Sequence, residues 1–178
     1  MERGLRVVPA SPPQIAELAE VAALTFPLAC PPSVGPADIA AFIDENLSPA
    51  RFDDYLADPD RAVLTAVDDT RILGYAIMIR GVPDDPDVEG AVTVRPTVEL
   101  SKMYVLPDSH GSAVSAALMA AALDHARTLG AASVWLGVNQ RNVRAQRFYA
   151  KHGFTVAGTK TFRLGGHWEQ DYVMVRPA

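Results

Sequence analysis

Apolar residues return every three or four positions in the first third of the chain, a spacing typical of amphipathic helices. Three helices are predicted there, beginning at Ser11, Pro36 and Ser48, because serine and proline at these points are typical of a helix cap and first turn. The first helix should end near Phe26, because Pro27 lacks a backbone N–H. The front of the chain is therefore predicted to be mainly helical.

From residue 62 onward the pattern changes to short apolar runs bounded by turn residues, which is typical of strands. Residues 81–96 interrupt these runs with an acidic segment that contains three prolines, so this segment is predicted to be a loop. Two more helices are predicted, after Ser112 and after Asn142. Strands are predicted at 5–8, 62–67, 72–79, 100–106, 133–138, 154–162 and 172–175. This order indicates one mixed α/β domain over residues 1–178.

The stretch from Glu99 to Met119 combines a strand, a tight loop and the start of a helix. Its apolar run stops at Pro107, and the residues that follow are of the types that turns favour. A strand that turns over small residues directly into a helix leaves unpaired backbone N–H groups pointing outward, and such groups bind anions. The sequence therefore predicts a site for the phosphates of a nucleotide-like cofactor at this turn.

Composition narrows the class of protein. The chain has 178 residues, of which 49% are hydrophobic and 21% charged, so it can form one sizeable core. A net charge of -5 without a basic cluster argues against a nucleic-acid partner. The single cysteine, Cys30, cannot form an internal disulfide, and no apolar run approaches membrane-spanning length. A cytoplasmic protein without a membrane partner is the expectation.

A second motif lies between Val138 and Phe154, which reads Val-Asn-Gln-Arg-Asn-Val-Arg-Ala-Gln-Arg-Phe-Tyr-Ala-Lys-His-Gly-Phe. This segment resembles the Asn-x-x-Ala-x-x-Phe-Tyr-x-Lys-x-Gly-Phe motif of the GNAT acetyltransferase superfamily. The stretch Glu99–Met119 resembles the acyl-CoA pyrophosphate motif of the same superfamily. The segments Trp-Leu-Gly-Val, Thr-Lys-Thr-Phe and Asp-Tyr-Val-Met also look like the bacterial spermidine/spermine N-acetyltransferase branch.

The resemblance implies a fold and a cofactor. The fold would be mixed α/β (α+β), with a mostly antiparallel central sheet, a splayed parallel strand pair and flanking helices. Acetyl-CoA would be the co-substrate, and the four scattered histidines give no metal-ligand pattern, so no metal is expected.

The sequence departs from the acyl-CoA pyrophosphate motif at two positions of the phosphate loop, where Ala113 and Ser115 replace the usual glycines. The cofactor-binding residues implied are Met103, Tyr104 and Val105 for pantetheine; His110, Gly111, Ser112, Ala113, Val114 and Ser115 for pyrophosphate; and Asn142, which can also cap its helix.

The reaction implied is direct attack of an amine on the acetyl thioester, which requires a general base and a general acid. Glu99 occupies the strand position where some family members place the base; the alternative is a solvated residue or one that binds substrate. Tyr149 aligns with the family's general acid; the alternative is a core aromatic residue on an amphipathic helix.

The acceptor of the acetyl group is the second substrate of this reaction. A primary amine on a small molecule is expected, and a polyamine is favoured by the branch resemblance and by two groups of acidic residues. The alternatives are acetylation of a protein or peptide amine, and a CoA-binding module with little turnover. A homodimer is also possible through the closing strands. The acidic residues are Asp84, Asp85, Asp87 and Glu89 in one group and Asp38, Glu45, Asp53 and Asp54 in the other.

Overall fold

A computed structural model describes residues 4–69, 71–107 and 111–178. Within these residues the chain forms seven strands and six α-helices. In chain order they are β1 (Arg6–Pro9), α1 (Ile15–Ala29), α2 (Pro36–Asn46), α3 (Pro49–Ala57), β2 (Arg61–Asp68), β3 (Arg71–Arg80), α4 (Pro86–Ala91), β4 (Thr97–Val105), α5 (Gly111–Thr128), β5 (Ser133–Asn139), α6 (Val143–Lys151), β6 (Thr155–Leu164) and β7 (His167–Pro177). A short 3₁₀ turn, Pro12–Gln14, precedes α1. None of the helices in the described part of the chain is long and apolar enough to cross a membrane.

The seven strands form one sheet in the order β1-β2-β3-β4-β5-β7-β6. Neighbouring strands run antiparallel except β4 and β5, which are parallel. The connection between these two strands contains α5, as a parallel crossover requires. The predicted fold class, a mixed and mostly antiparallel sheet with one parallel pair and flanking helices, is confirmed.

The sheet is covered on both faces. One face packs against α5, whose Val114, Leu118 and Ala122 are buried against apolar residues of β2 to β5. The other face packs against α1, α2 and α3, through Phe26 of α1, Phe42 of α2 and Phe52 of α3. The alternation of side chains along each strand therefore assigns neighbouring residues to different layers.

The first helix is longer than predicted, because α1 continues through Pro27 to Ala29. A proline near the end of a helix removes only one hydrogen bond there, and tertiary packing outweighs this loss. Phe26 stacks on Phe42 of α2 with ring centroids 4.4 Å apart. The prediction that Pro27 ends the helix is therefore wrong.

The predicted loop at residues 81–96 contains a short helix, α4. The side chain of Asp85 caps it by accepting a hydrogen bond from the backbone N–H of Asp87 at 2.9 Å. Val88 and Val92 are buried against Trp135 of β5. A helix of six residues is too short to show a hydrophobic period, so only its cap and Pro86 could have indicated it.

Gly74 of β3 allows a close approach to β4. A Cβ atom at this position would lie 2.7 Å from the backbone oxygen of Tyr104 and 3.1 Å from Cγ2 of Val105. We expect Gly74→Ala to lower the free energy of unfolding by about 1–3 kcal/mol, because the β4 backbone must shift to accept the methyl group.

Gly90 provides the matched control for this prediction. It lies exposed in α4, where a Cβ atom would meet nothing within 4 Å. Gly90→Ala should raise the free energy of unfolding by about 0.5–1 kcal/mol. Denaturant unfolding measures both variants, and a Gly74→Ala protein as stable as the wild type would contradict the close approach.

Candidate active site

The two parallel strands separate soon after they begin to pair. Their register extends from Thr97 with Ser133 to Glu99 with Trp135 and goes no further. Beyond this point β5 pairs only with β7, and the edge of β4 that faces β5 has no strand partner among the described residues. Met103, Tyr104 and Val105 lie on this unpaired stretch. The sheet therefore contains a gap lined on one side by free backbone groups of β4.

A β-bulge decides which β4 side chains share a face. Met78 of β3 pairs with Leu100, but the next residue back, Ile77, pairs with Lys102, so Ser101 is an extra residue on β4. Leu100 and Met103 consequently both pack on the α5 layer. Their neighbours Glu99, Lys102 and Tyr104 lie on the opposite face, towards α1 and α2.

The hairpin of β6 and β7 adds charged residues to the same face. The ammonium of Lys160 lies 3.4 Å from Oδ2 of Asp171, with only 15% and 11% of the two side chains exposed. Glu169 is also buried, and its Oε1 accepts a hydrogen bond from Nδ2 of Asn139 at 3.1 Å. Glu99, Lys102, Lys160, Glu169 and Asp171 together are called the polar patch below.

Gly137 of β5 makes room for the ion pair in the polar patch. A Cβ atom there would lie 2.6 Å from Cε of Lys160 and 3.3 Å from Oδ2 of Asp171. Gly137 lies between two buried core residues of β5, Leu136 and Val138, beyond the last residue of β5 that pairs with β4. The absence of a side chain therefore lets the pair approach the point where β4 and β5 separate.

The charges of the polar patch influence one another. Burial raises the pKa of the Glu99 carboxyl above its usual value, while the positive charges of Lys102, Lys160 and Arg61 counteract part of this rise. Burial likewise raises the pKa of Asp171, and Lys160 counteracts it. A carboxyl with a raised pKa binds a proton more strongly than an ordinary one, which suits a general base.

Tyr149 of α6 packs on the α5 side of the gap. It is partly buried, and its ring lies 5.9 Å from that of Phe154. Burial raises the pKa of its phenol to about 12, so it remains protonated at neutral pH and can donate a hydrogen bond. The pKa of Tyr104 is also raised, mainly by burial and further by the nearby Tyr149, Cys30 and Asp171. Tyr104 is thus near enough to both Tyr149 and Asp171 for their charges to act on it.

The predicted phosphate loop is described only from its helical end. His110 lies outside the described residues, and Gly111 and Ser112 begin α5. Val114 is 1% exposed and belongs to the core, so only its backbone is available to a ligand. Ala113 and Ser115 are within the helix, and neither has a positive φ angle. The conformation of this turn of helix therefore does not require glycine at either position.

Asn142 caps α6, since its Oδ1 accepts a hydrogen bond from the backbone N–H of Ala145 at 3.1 Å. Replacing Asn142 by Ala should lower the free energy of unfolding by about 1 kcal/mol, because this N–H loses its partner. If Asn142 also meets pantetheine, the same change should weaken CoA binding, measured by isothermal titration.

Ser48 offers a control of the same kind, because its Oγ caps α3 through the N–H of Arg51 at 3.2 Å. Ser48→Ala should cost a similar free energy of unfolding and leave CoA binding unchanged. Equal CoA affinities of the two variants would restrict Asn142 to its role as a cap.

Sequence reasoning missed four members of the polar patch as functional candidates: Lys102, Lys160, Glu169 and Asp171. Regular alternation along β4 would place the side chains of Glu99 and Lys102 on different faces of the sheet. The extra residue at the bulge brings both to the same face. Lys160 of β6 pairs with Asp171 of β7 across the hairpin. Predicting the register of these two strands correctly would have shown that the two side chains are neighbours.

Two open clefts, of about 80 and 190 Å³, lie near the start of β4, and both are lined by Arg80, Val98 and Leu129. They contain none of the residues predicted for the site. Of the predicted residues that the structure describes, Glu99 and residues 103–105 lie on β4, residues 111–115 begin α5, and Asn142 and Tyr149 belong to the cap and body of α6.

Known proteins share this fold. A PaiA N-acetyltransferase from Thermoplasma acidophilum, solved in complex with coenzyme A, superposes with a TM-score of 0.77 over 98% of this chain and 99% of its own, at 18% identity. A GCN5-related N-acetyltransferase from Rhodopseudomonas palustris gives a TM-score of 0.73 over 100% and 99% of the two chains, at 20% identity. At these identities the likeness concerns the fold alone.

Sequence comparison identifies the family. The model of the family described as "Acetyltransferase (GNAT) family" matches residues 26–154. Uncharacterized N-acetyltransferases of Mycobacterium bovis and Mycobacterium tuberculosis are 61% identical over 160 residues, which is 90% of this chain and 95% of each relative. Because the family model covers well over half of the chain and these relatives match nearly all of it, the chain is an acetyltransferase that belongs to the GNAT family.

Proposed function

We propose that this enzyme transfers the acetyl group of acetyl-CoA to a primary amine on a small molecule by direct attack. The observation that carries the proposal is the edge of β4 that pairs with no described strand at the gap, with the partly buried carboxylate of Glu99 on the same strand and the Tyr149 phenol in the α5 layer. Acetyl-CoA supplies an acetyl thioester that an amine can attack without a metal.

The residues around the gap fit the shape of this co-substrate. An extended pantetheine arm can pair with the backbone of Met103 to Val105 as an added strand would. The N-terminus of α5 suits the pyrophosphate, because the first backbone N–H groups of a long helix attract anions. Ala113 and Ser115 have small side chains, so they leave the backbone accessible.

Glu99 is proposed as the general base that takes the proton of the acceptor ammonium, directly or through a water molecule. Its raised pKa, caused by burial, makes it a better proton acceptor than an exposed carboxylate. Its place at the last paired residue of the parallel strands puts it at the mouth of the gap.

Tyr149 is proposed as the general acid at the leaving sulfur. A pKa of about 12 keeps its proton in place at neutral pH. Because an ordinary thiol has a pKa near 8.5, complete transfer of this proton is unfavourable. The phenol therefore acts chiefly through a hydrogen bond that strengthens as negative charge develops on sulfur.

The polyamine acceptor favoured by the sequence remains a prediction. Several of the acidic residues behind it have local partners: Asp85 caps α4, and Asp38 lies 3.8 Å from His167. The polar patch contains two lysines beside its three carboxylates, so a polycation would meet positive as well as negative charge there. Turnover of spermidine beside a simple monoamine tests this acceptor directly.

The experiment for the proposed function combines two measurements. Isothermal titration should show binding of acetyl-CoA and CoA, and a thiol-release assay with mixed small amines should show amine-dependent turnover. Absence of binding at millimolar CoA would overturn the proposal. Binding without turnover would identify a CoA-binding module, for which the two replaced glycines are the motivating observation. Turnover only with peptides would move the acceptor to a protein or peptide amine.

A further inference from the structure

Three cations act on the carboxyl of Glu99: Lys102, Lys160 and Arg61. Two of them have a carboxylate of their own. Nζ of Lys160 lies 3.4 Å from Asp171, and Nε of Arg61 lies 3.2 Å from Oδ2 of Asp58. In the part of the chain that the structure describes, no carboxylate oxygen lies within 4 Å of Nζ of Lys102.

The described residues around the Lys102 ammonium use little of its hydrogen-bonding capacity. An ammonium has three donors, and the contact found here is a long hydrogen bond of 3.4 Å to the backbone oxygen of Ser101. The ring of Phe42 lies 5.8 Å away on one side. Lys102 is partly buried and still accessible, so a ligand in the site can reach it.

Burial also makes the charge of Lys102 unfavourable. Its pKa is lowered by burial, with further lowering by Lys160 and Arg61, while Glu99 and Asp171 raise it. A partly buried cation without a paired anion is stabilised when an anion binds beside it. The bulge at Ser101 places this cation on the same face of β4 as the proposed base, three residues away.

We propose that Lys102 binds a carboxylate group of the amine acceptor, so that the preferred substrates are small amines that also carry a carboxylate, as amino acids do. This inference rests on the proposed function, because it places the acceptor between Glu99 and Lys102. The ammonium of such an acceptor faces the carboxylate of Glu99, and its own carboxylate faces Lys102.

A carboxylate fits this position better than a phosphate. Lys102 is a single point charge, and its neighbours Glu99 and Asp171 repel a second negative charge on the ligand. A singly charged carboxylate gains one charge-assisted hydrogen bond to Lys102 and brings less negative charge to these neighbours than a phosphate does. A polycation without a carboxylate would bring further positive charge to Lys102.

The first test compares amines that differ only by a carboxylate: ornithine with putrescine, lysine with cadaverine, and glycine with methylamine, with spermidine added. We expect kcat/KM to be about ten to a hundred times higher for the carboxylate-bearing member of at least one pair, the range that one hydrogen bond to a charged group supplies. Lys102→Met should abolish this preference by raising KM for that member, while kcat/KM for its partner changes less than about threefold.

Two further variants sharpen the comparison. Lys102→Arg keeps the positive charge and should retain most of the preference. Arg127→Met removes an exposed cation of α5 that lies outside both motifs, and it should leave the preference unchanged. If Lys102→Met lowers turnover of both members of each pair equally, Lys102 takes part in proton transfer and the proposal is overturned. A preference for putrescine, cadaverine or spermidine would also overturn it.

A binding measurement separates this inference from the proposed function. In CoA-saturated protein, N-acetylglycine should bind to the wild type and lose about tenfold or more in affinity in Lys102→Met, whereas N-methylacetamide should bind equally to both. Equal binding of the two compounds to the wild type contradicts the inference whether or not any amine is acetylated. Failure of the proposed function itself would instead show as absent CoA binding or absent turnover with every amine.

Discussion

Replacing Tyr149 by phenylalanine should lower kcat by about two to three orders of magnitude, the range for loss of one hydrogen-bond donor to the charge that develops in the transition state. The change removes only the hydroxyl, so the packing of the ring against Phe148 and Phe154 is retained. The dissociation constant of acetyl-CoA should stay within about threefold of wild type, because the hydroxyl acts mainly when charge develops on sulfur. Steady-state kinetics and titration calorimetry measure the two quantities.

Tyr55→Phe is the matched control for this result. The Tyr55 hydroxyl donates a hydrogen bond to the backbone oxygen of Asn46 at 2.7 Å, far along the chain from the second motif. Its loss should reduce the free energy of unfolding by about 1 kcal/mol and leave kcat unchanged. A Tyr149→Phe enzyme with wild-type turnover would remove the general-acid assignment and leave Tyr149 as a packed aromatic residue.

Replacing Glu99 by glutamine should remove the acidic limb of the pH profile of kcat/KM and lower its plateau by about two to four orders of magnitude. A base acts in its deprotonated form, and burial raises the pKa of Glu99. In the wild type, activity should therefore rise with pH at a midpoint above 4.5, the ordinary value for this carboxyl. A wild-type midpoint at 4.5 or below, or an unchanged limb in Glu99→Gln, would contradict the assignment.

Glu99→Gln should lower activity without lowering the stability of the fold. Because the pKa of the folded state is raised, the contribution of this carboxyl to stability is present below 4.5 and is lost as pH rises through the raised value. At neutral pH the charged carboxylate is therefore a net cost, and glutamine should not lower the free energy of unfolding. Loss of activity without loss of stability would exclude misfolding as the cause.

The elements of the fold could largely be predicted from the sequence because their patterns are local. The apolar runs at 62–67, 72–79 and 133–138 correspond to β2, β3 and β5, since a short run bounded by turn residues is a strand signal on its own. Asn142 and Gly153 bound α6, because a cap and a left-handed glycine are properties of single residues. The motif in this helix was also sufficient to recognise the GNAT family.

Elements that depend on distant contacts could not be predicted in this way. A proline such as Pro27 is typical of a helix end, but α1 continues through it to Ala29. Phe26, the residue before it, stacks on Phe42 of α2, a contact between separate helices. The helix α4 is too short to show a period, and Val88 and Val92 are held by Trp135 from a strand more than forty residues later in the chain.

The sequence by itself determined the two motifs, the strand that contains Glu99 and the helix that contains Tyr149, because each depends on residues close together in the chain. Only the tertiary structure decided which charges surround Glu99. Regular alternation places Lys102 on the other face of β4, and the extra residue at Ser101 reverses this. Lys160 and Asp171 join the same face through the β6–β7 register, and Gly137 makes room for them. A bulge and a strand register arise from pairing between segments, so no local pattern could reveal this group of charges.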